Sequence, residues 1–297
     1  MRVAVTGGTG FVGTHVVRAL VEADHDVVVI ARGTRRQPRR EKVTFVKADV
    51  ANGANLVEAF AGCDAVIHLV AVIREKGNQT FERVNREASE RVAAAAAEAD
   101  IKHLVHQSAI GADPDPRYPY MATKWAGEQA SRGSGVPYTV LRPSLIFGPG
   151  DGFFTLLAKL IRLSLLTGLI VPVAGDGQAL FQPIAIEDVT RCIMIALERG
   201  PSNRVHEIGG PEHLTYDDVV LTVKRALSAH RRLVHVPVRM MLPPAFLMEH
   251  LMPNPMITVG QLRLLEKNNI TTINAVPKGF GFQPQRLADN ADYLQDY

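Results

Sequence analysis

Short runs of β-branched residues alternate with longer amphipathic stretches through the first 142 residues of the chain. The short runs predict six strands, at residues 3–6, 26–31, 43–47, 65–70, 103–107 and 138–142. The amphipathic stretches predict helices at residues 12–23, 81–99 and 120–132. Because a helix between two strands lets the chain cross over a sheet, this alternation predicts an α/β fold with a doubly wound parallel sheet.

The alternation becomes irregular after Arg142, where prolines and glycines mark a loop. One more helix is predicted at residues 186–198 and one more strand at 205–208, and both are expected to return to the first sheet. We therefore expect a first domain at residues 1–150, joined by residues 181–210. Residues 151–180 and 211–297 are expected to form a smaller C-terminal lobe that binds a substrate or a partner.

Composition narrows the class of protein. The 297 residues are 46% hydrophobic and 21% charged, as in a typical globular protein, and the formal net charge of +3 is too small to indicate nucleic-acid binding. Two cysteines, Cys63 and Cys192, fit a reducing compartment. The N-terminus has no signal-peptide pattern, so we expect a cytoplasmic protein. The apolar stretch 156–173 contains Lys159 and Arg162, which indicates a helix followed by a strand rather than a membrane span.

A glycine-rich turn follows the first predicted strand and opens the first predicted helix. It reads Thr-Gly-Gly-Thr-Gly-Phe-Val-Gly from residue 6 to residue 13, with Gly7, Gly10 and Gly13 spaced three apart. Glycines at this spacing allow a tight turn and bring backbone amides close to a diphosphate at the helix N-terminus. The turn therefore predicts a dinucleotide-binding domain of Rossmann type, with a dinucleotide cofactor.

The end of the second predicted strand indicates which cofactor is bound. An NAD site commonly has an acidic residue there, which binds the ribose 2′-hydroxyl. This chain has no acid at that place and instead has Arg32, Arg35 and Arg36, whose guanidinium groups suit a 2′-phosphate. The pattern favours NADP(H) over NAD(H), with Arg32 and Arg35 as contacts. A solvated basic loop is the alternative, because Arg39, Arg40 and Lys42 extend the run.

Tyr120 and Lys124 form a Tyr-x-x-x-Lys motif on a predicted helix. The spacing places both side chains on one helix face, where the ammonium group is expected to lower the pKa of the phenol. Tyr120 is then a candidate general acid or base for carbonyl–alcohol interconversion. Ser108, twelve positions earlier at the end of a predicted strand, is a candidate hydrogen-bond donor to the substrate oxygen.

These motifs together resemble the short-chain dehydrogenase/reductase superfamily, over residues 1 to about 210. The resemblance implies that Phe11 and Val12 belong to the cofactor-binding turn and that Lys124, with Tyr120, contacts the nicotinamide ribose. It further implies a set of contacts along the rest of the cofactor: Asp49 and Val50 at the adenine, Leu69, Val70 and Ala71 at the ribose, and Pro143 and Ser144 at the nicotinamide.

Within the superfamily, the chain resembles the atypical and extended branches, and in particular the NAD(P)H-binding proteins similar to the nucleotide-binding accessory subunit of respiratory complex I.

Three functions stay open. The Ser/Tyr/Lys set favours an NADP-dependent oxidoreductase with an apolar substrate. The resemblance to the accessory subunit and the methionine-rich segment at residues 240–256 favour an accessory or assembly protein that holds NADPH without turnover. A nucleotide-sugar epimerase or dehydratase is the third, favoured by residues 141–150 but weakened by the arginines that replace an acid.

The C-terminal part contains a methionine-rich segment, residues 240–256, with five methionines and four prolines. Adaptable thioether side chains suit an apolar ligand pocket, a protein partner or a membrane surface, and ordinary packing of a small lobe is the alternative.

No histidine or cysteine spacing indicates a metal site. The strand histidines His68, His103 and His106 are expected to be structural, and Asn85 fits either the cofactor site or a helix surface.

Overall fold

The computed structural model describes residues 1–33, 41–167, 170–230, 232–252 and 255–297. It divides into two compact units, one of Met1–Pro143 with Val189–Glu207 and one of Ser144–Asp188 with Ile208–Tyr297. These boundaries differ from the predicted ones at 150, 181 and 210. The reason is that Ile146–Phe147 pairs in parallel with Ile184–Ala185, which places the loop after Pro143 in the second unit.

The strands and helices of the described residues are as follows. The strands are β1 (Arg2–Thr6), β2 (Asp26–Ala31), β3 (Val43–Lys47), β4 (Ala65–His68), β5 (His103–Gln107), β6 (Tyr138–Pro143), β7 (Ile146–Phe147), β8 (Ile170–Ala174), β9 (Leu180–Phe181), β10 (Ile184–Ala185), β11 (Arg204–Ile208), β12 (Leu214–Thr215) and β13 (Arg232–Val236). The helices are α1 (Phe11–Glu22), α2 (Leu56–Phe60), α3 (Ala88–Glu98), α4 (Pro119–Gly133), α5 (Phe153–Thr167), α6 (Ile186–Arg199), α7 (Tyr216–Ala226), α8 (Val238–Leu251), α9 (Val259–Leu264) and α10 (Ala275–Phe280). A π-helical segment, Glu82–Glu87, precedes α3, and a 3-10 helix, Asp292–Asp296, lies near the C-terminus.

A seven-stranded sheet organises the first unit, in the order β11-β6-β5-β4-β1-β2-β3. The pairings among β1 to β6 are all parallel. The strand order reverses between β1 and β4, and the carboxyl ends of these strands form a crevice of the kind in which open α/β sheets bind ligands. The predicted doubly wound α/β fold is confirmed.

Strand β4 ends earlier than predicted, at His68 instead of residue 70. The Leu69 amide still donates to the Thr6 carbonyl at 3.1 Å, and the chain then leaves the sheet. Residues 69–72 are therefore a loop at the carboxyl edge of the sheet, in the crevice between β1 and β4.

Close helix packing explains the alanine-rich segment at residues 93–97. Helix α3 buries Ala88, Ala93 and Ala96 in the core of the first unit. A Cβ atom at Gly127 of α4 would lie 2.5 Å from the Asn85 carbonyl oxygen, so only glycine fits there. Small side chains thus bring α4 directly against the segment that contains Asn85.

The second unit has its own apolar core, which includes Phe147, Phe154, Ile161, Val173 and Leu262. Its strands form three small pairs, β10-β7, β12-β9 and β13-β8. The prediction for residues 156–173 is confirmed, since α5 is followed by β8. Of the described helices, none has both the length and the apolar character that a bilayer span requires.

Candidate functional site

The glycine-rich turn connects β1 to α1 and needs glycine at two of its positions. Gly7 has a φ of +77°, which other residues rarely adopt, and its carbonyl accepts a hydrogen bond from the Gly10 amide at 2.9 Å. A Cβ at Gly13 would lie 2.1 Å from that same carbonyl oxygen. The turn therefore holds the first turn of α1, with the free amides of a helix N-terminus, directly over the end of β1.

A cleft of about 220 Å³ lies beside this turn, within the first unit. The sequence predicted half of its lining: Gly7, Gly10, Arg32, Asp49, Val50, Leu69, Val70 and Ala71. It missed the other half: Thr9, Ile30, Ala31, Ala48, Ala51, Val72, Gln79 and Val84. Five of the missed residues adjoin predicted ones, so widening each predicted segment by one residue would have found them, and Ile30 lies one position further, within β2. Gln79 and Val84 follow a loop that carries no motif, and no signal in the sequence identifies them.

The remaining predicted cofactor residues lie outside the lining of this cleft. Phe11, Val12 and Gly13 form the first turn of α1 beside it. Tyr120 and Lys124 lie on α4, and Pro143 ends β6. Arg35 lies outside the described residues, so its predicted contact with a 2′-phosphate stays a prediction.

Ser144, which is predicted to contact the nicotinamide, belongs to the second unit. Its hydroxyl donates a hydrogen bond to the Gln182 carbonyl, and its amide donates to the Ile208 carbonyl at 2.9 Å. Both donors of Ser144 therefore have partners within that unit, and the predicted cofactor contact stays a prediction.

Lys124 joins the helix of the candidate catalytic motif to the strand that precedes Ser108. Its side chain is buried, and its Nζ donates a hydrogen bond to the Gln107 carbonyl at the end of β5, at 2.6 Å. Ser108 follows directly and is also buried, with its amide bound to the Leu141 carbonyl at 2.7 Å. Within the described part of the chain, Ser108 Oγ has no hydrogen-bond partner. A buried hydroxyl without a partner is uncommon and suits a ligand oxygen.

Burial changes the pKa values of both members of the Tyr-x-x-x-Lys pair. Burial raises the pKa of Tyr120 to about 12, and the ring packs edge-to-face against Phe81 at a centroid distance of 5.7 Å. Burial lowers the pKa of Lys124 to about 8, although the nearby Glu128 carboxylate opposes this change. The expectation that Lys124 lowers the pKa of Tyr120 is therefore wrong. Desolvation of the phenol dominates, and Tyr120 is a protonated hydrogen-bond donor at neutral pH.

Asn85 fixes the loop that lines the cleft. Its side chain is buried in the π-helical segment, where its Oδ1 accepts from the Val72 amide at 2.8 Å and its Nδ2 donates to the Val72 carbonyl at 3.1 Å. Val72 itself lines the cleft. Asn85 therefore neither lies on a helix surface nor belongs to the lining of this cleft, and instead it positions the Val72 backbone in the cleft wall.

Two buried histidines lie beneath this region. His68 Nδ1 is 2.7 Å from Thr6 Oγ1, and its Nε2 is 3.0 Å from Ser89 Oγ. His106 Nδ1 is 2.8 Å from Ser131 Oγ. Burial lowers the pKa of His68 to about 3, so this ring is neutral. The two histidines connect β4 and β5 to α3 and α4, as expected of structural residues.

The regions that the structure describes contain no candidate metal site, since no three His, Cys, Asp or Glu side chains there form a group that could hold an ion. The cleft instead offers backbone amides, an arginine and apolar walls. These groups suit the diphosphate and the rings of a dinucleotide.

The sheet and the glycine-rich turn define a dinucleotide-binding protein, and the resemblance to the short-chain dehydrogenase/reductase superfamily inferred from the sequence is confirmed. The chain belongs to the NAD dependent epimerase/dehydratase family, whose model matches residues 3–209. A nicotinamide dinucleotide is therefore the cofactor class that this cleft accepts.

Similar proteins include both respiratory-chain subunits and reductases. The mitochondrial NADH-ubiquinone oxidoreductase 40 kDa subunit of Neurospora crassa is 26% identical over 99% of this chain and 78% of its own. The 4-hydroxy-2-methyl-3-oxo-4-farnesyl-3,4-dihydroquinoline-1-oxide ketoreductase of Stigmatella aurantiaca is 32% identical over 72% of this chain and 70% of its own. The resemblance to the complex I accessory-subunit group is confirmed.

A similar solved structure is DesIV, a dTDP-glucose 4,6-dehydratase from Streptomyces venezuelae determined with NAD and TYD bound. It superposes with a TM-score of 0.75 at 20% identity, and the match covers 100% of this chain and 97% of DesIV. At this identity the similarity establishes the fold.

Proposed function

We propose that the protein is an NADP(H)-dependent oxidoreductase that reduces a carbonyl group of an apolar substrate. The observation that carries this proposal is the environment of Ser108. Its Oγ is buried and has no partner among the described residues, and the neighbouring Gln107 carbonyl holds Lys124 of the candidate motif. A hydroxyl donor that is desolvated and free to bind an oxygen is what carbonyl reduction requires.

The three side chains have distinct roles in this proposal. Ser108 Oγ donates a hydrogen bond to the carbonyl oxygen of the substrate and orients it. Tyr120 donates its phenolic proton to that oxygen as the alcohol forms, because its pKa of about 12 keeps it protonated at neutral pH. Lys124, whose Nζ donates to the Gln107 carbonyl, holds the end of β5 beside Ser108, and solvent returns the proton to Tyr120 after the alcohol has formed. The nicotinamide cofactor, when bound, supplies the hydride.

The preference for NADP(H) rests on Arg32. This residue lines the cleft directly after β2, which ends in Ala31 and has no carboxylate at that position. Guanidinium groups bind phosphate oxygens in a bidentate geometry, so Arg32 suits the 2′-phosphate that distinguishes NADPH from NADH.

The proposal that the substrate is apolar rests on the similarity of this chain to a ketoreductase. The ketoreductase relative is named for a substrate with a farnesyl group, and it is 32% identical to this chain. Aliphatic ketones and prenylated quinones are therefore the first substrates to examine.

The test is NADPH oxidation by the purified protein with a panel of aliphatic ketones, quinones and nucleotide sugars. Tyr120→Phe removes the proton donor and is expected to lower kcat by about 100-fold or more, while the Kd for NADPH changes little. Tyr118→Phe is the matched control, because it removes a phenol two positions away and is expected to retain turnover. Equal turnover in the wild type and in Tyr120→Phe would contradict the proposal.

A second candidate function is the holding of NADPH in a larger assembly without turnover. The similarity to the 40 kDa subunit, which extends over 99% of this chain, favours it. In that case the wild-type protein binds NADPH tightly, oxidises it with no member of the panel, and shows the same affinity as Tyr120→Phe. Conversion of a nucleotide sugar without net NADPH oxidation would instead identify an epimerase or dehydratase.

A further inference from the structure

Helix α8 has one face in the core of the second unit and an apolar face in solvent. Val238 and Ala245 are buried in that core, and Met241 and Leu242 pack against it. On the other side, Met240, Leu247 and Leu251 are 64%, 57% and 72% exposed. Their spacing of seven and four residues aligns them in one stripe along the helix. Pro243 and Pro244, also exposed, lie between them in the same stripe.

Basic and aromatic groups flank this apolar stripe. Arg239, Phe246 and His250 are all exposed and share a second stripe, again with a spacing of seven and four. The Phe246 and His250 rings contact each other at a centroid distance of 4.1 Å with their planes tilted by 38°, and His250 Nδ1 donates to the Phe246 carbonyl at 2.8 Å. The acidic residue of α8, Glu249, is only partly exposed and lies away from both stripes.

We propose that α8 binds the surface of an anionic lipid bilayer, with its apolar stripe among the acyl chains and its basic flank at the phosphates. The helix has 14 residues and is about 21 Å long, so it can lie in the interface but is too short to span a bilayer. Exposed apolar and aromatic side chains beside an arginine, on a helix without a fully exposed acid, are features of interfacial helices. The guanidinium group of Arg239 favours anionic lipid over a neutral apolar partner.

This membrane contact goes beyond the proposed reaction and is independent of it, because none of these residues belongs to the Ser/Tyr/Lys set. An interfacial location would give the protein access to substrates that partition into the bilayer. Catalysis in the aqueous assay and binding to vesicles are separate measurements, so the failure of one proposal leaves the other intact.

The experiment is sedimentation of the full chain with two kinds of vesicle, pure phosphatidylcholine and phosphatidylcholine with 30% phosphatidylglycerol. The wild type is expected to bind the anionic vesicles more tightly. A double variant, Leu247→Glu with Leu251→Glu, is expected to lose at least about tenfold in binding to the anionic vesicles. Arg239→Ala is expected to lose about fivefold on the same vesicles and little on neutral ones.

The control for added negative charge is Ile273→Glu, which places one glutamate at an apolar side chain that is 45% exposed in the same unit. It is expected to bind like the wild type. The substituted side chains of α8 are exposed, so each variant is expected to keep the wild-type thermal unfolding curve. Equal vesicle binding by the wild type and the double variant would overturn the proposal. A wild-type dimer that the double variant converts to a monomer would overturn it too, because a second copy would then cover α8.

Discussion

The side chains of Tyr120 and Lys124 lie on one face of α4, and burial shifts their pKa values in opposite directions. The Tyr120 pKa rises to about 12 and the Lys124 pKa falls to about 8, because burial disfavours the charged form of each. Spacing in the sequence identifies which residues share a helix face. It does not report desolvation, and for this reason the predicted lowering of the tyrosine pKa was wrong.

Burial of Lys124 predicts a specific dependence of stability on pH. Its pKa is about 8 in the folded protein, against an ordinary pKa of 10.5 for lysine in the unfolded chain, so between these values the unfolded state binds more protons and folding becomes more favourable as pH rises. From pH 7 to pH 10 this group is expected to add about 2.5 kcal/mol to the free energy of unfolding. Lys124→Met is expected to lack this gain. Urea unfolding of both proteins at the two pH values measures it, and parallel changes would contradict the account.

The position of Arg32 at the cleft predicts how the protein distinguishes NADPH from NADH. Arg32→Ala removes the guanidinium group at the cleft and is expected to raise the Kd for NADPH by about 10- to 100-fold, the value of charge-assisted hydrogen bonds to phosphate. The Kd for NADH is expected to change by less than about threefold, since NADH has no 2′-phosphate. Isothermal titration measures both, with Arg263→Ala as a control for a lost surface charge. Equal losses for NADPH and NADH would exclude the 2′-phosphate contact.

At the scale of the element, the most important feature of the cleft is the strand–turn–helix segment formed by β1, the glycine-rich turn and α1. Gly13→Ala would place a Cβ 2.1 Å from the Gly7 carbonyl oxygen and is expected to lower the free energy of unfolding by about 3 kcal/mol. The same substitution also pushes α1 away from the turn, so NADPH affinity is expected to fall.

Gly133→Ala is the control for that substitution. No atom lies within 4 Å of a Cβ at this last residue of α4, and alanine is the better helix former, so a gain of about 0.5 to 1 kcal/mol is expected. Thermal or chemical unfolding compares the two variants. Similar effects of both would show that the close approach at Gly13 is not needed.

Elements with strong periodicity could be predicted well, and elements defined by contacts across the chain could not. The β-branched runs identified β2, β3 and β5 with their bounds, and β1 to within one residue at its start. The end of β4 at His68 was missed, because the apolar run continues into a loop whose Val72 backbone is held by Asn85, 13 residues away. The π-helical segment that contains Asn85 has no pattern distinct from an α-helix, so the sequence predicted one continuous helix there.

At the scale of the whole molecule, the alternation of strands and helices was sufficient for the fold class. The strands of the second unit were not predicted in the same way, since β7 and β10 have two residues each and pair across a gap of almost 40 positions. Half of the cleft lining could be predicted: Gly7, Gly10 and Arg32 from residue patterns, and the other five residues from the family resemblance. The cytoplasmic location and the partner of residues 240–256 stay predictions.

The structure of the protein in complex with NADPH, determined by crystallography, tests the central claim most directly. We expect the diphosphate oxygens at about 2.7–3.2 Å from backbone amides of the Gly7–Gly13 turn. We further expect the 2′-phosphate beside Arg32 and the adenine beside Asp49 and Val50. A complex formed at saturating NADPH in which the diphosphate lies away from this turn would contradict the account.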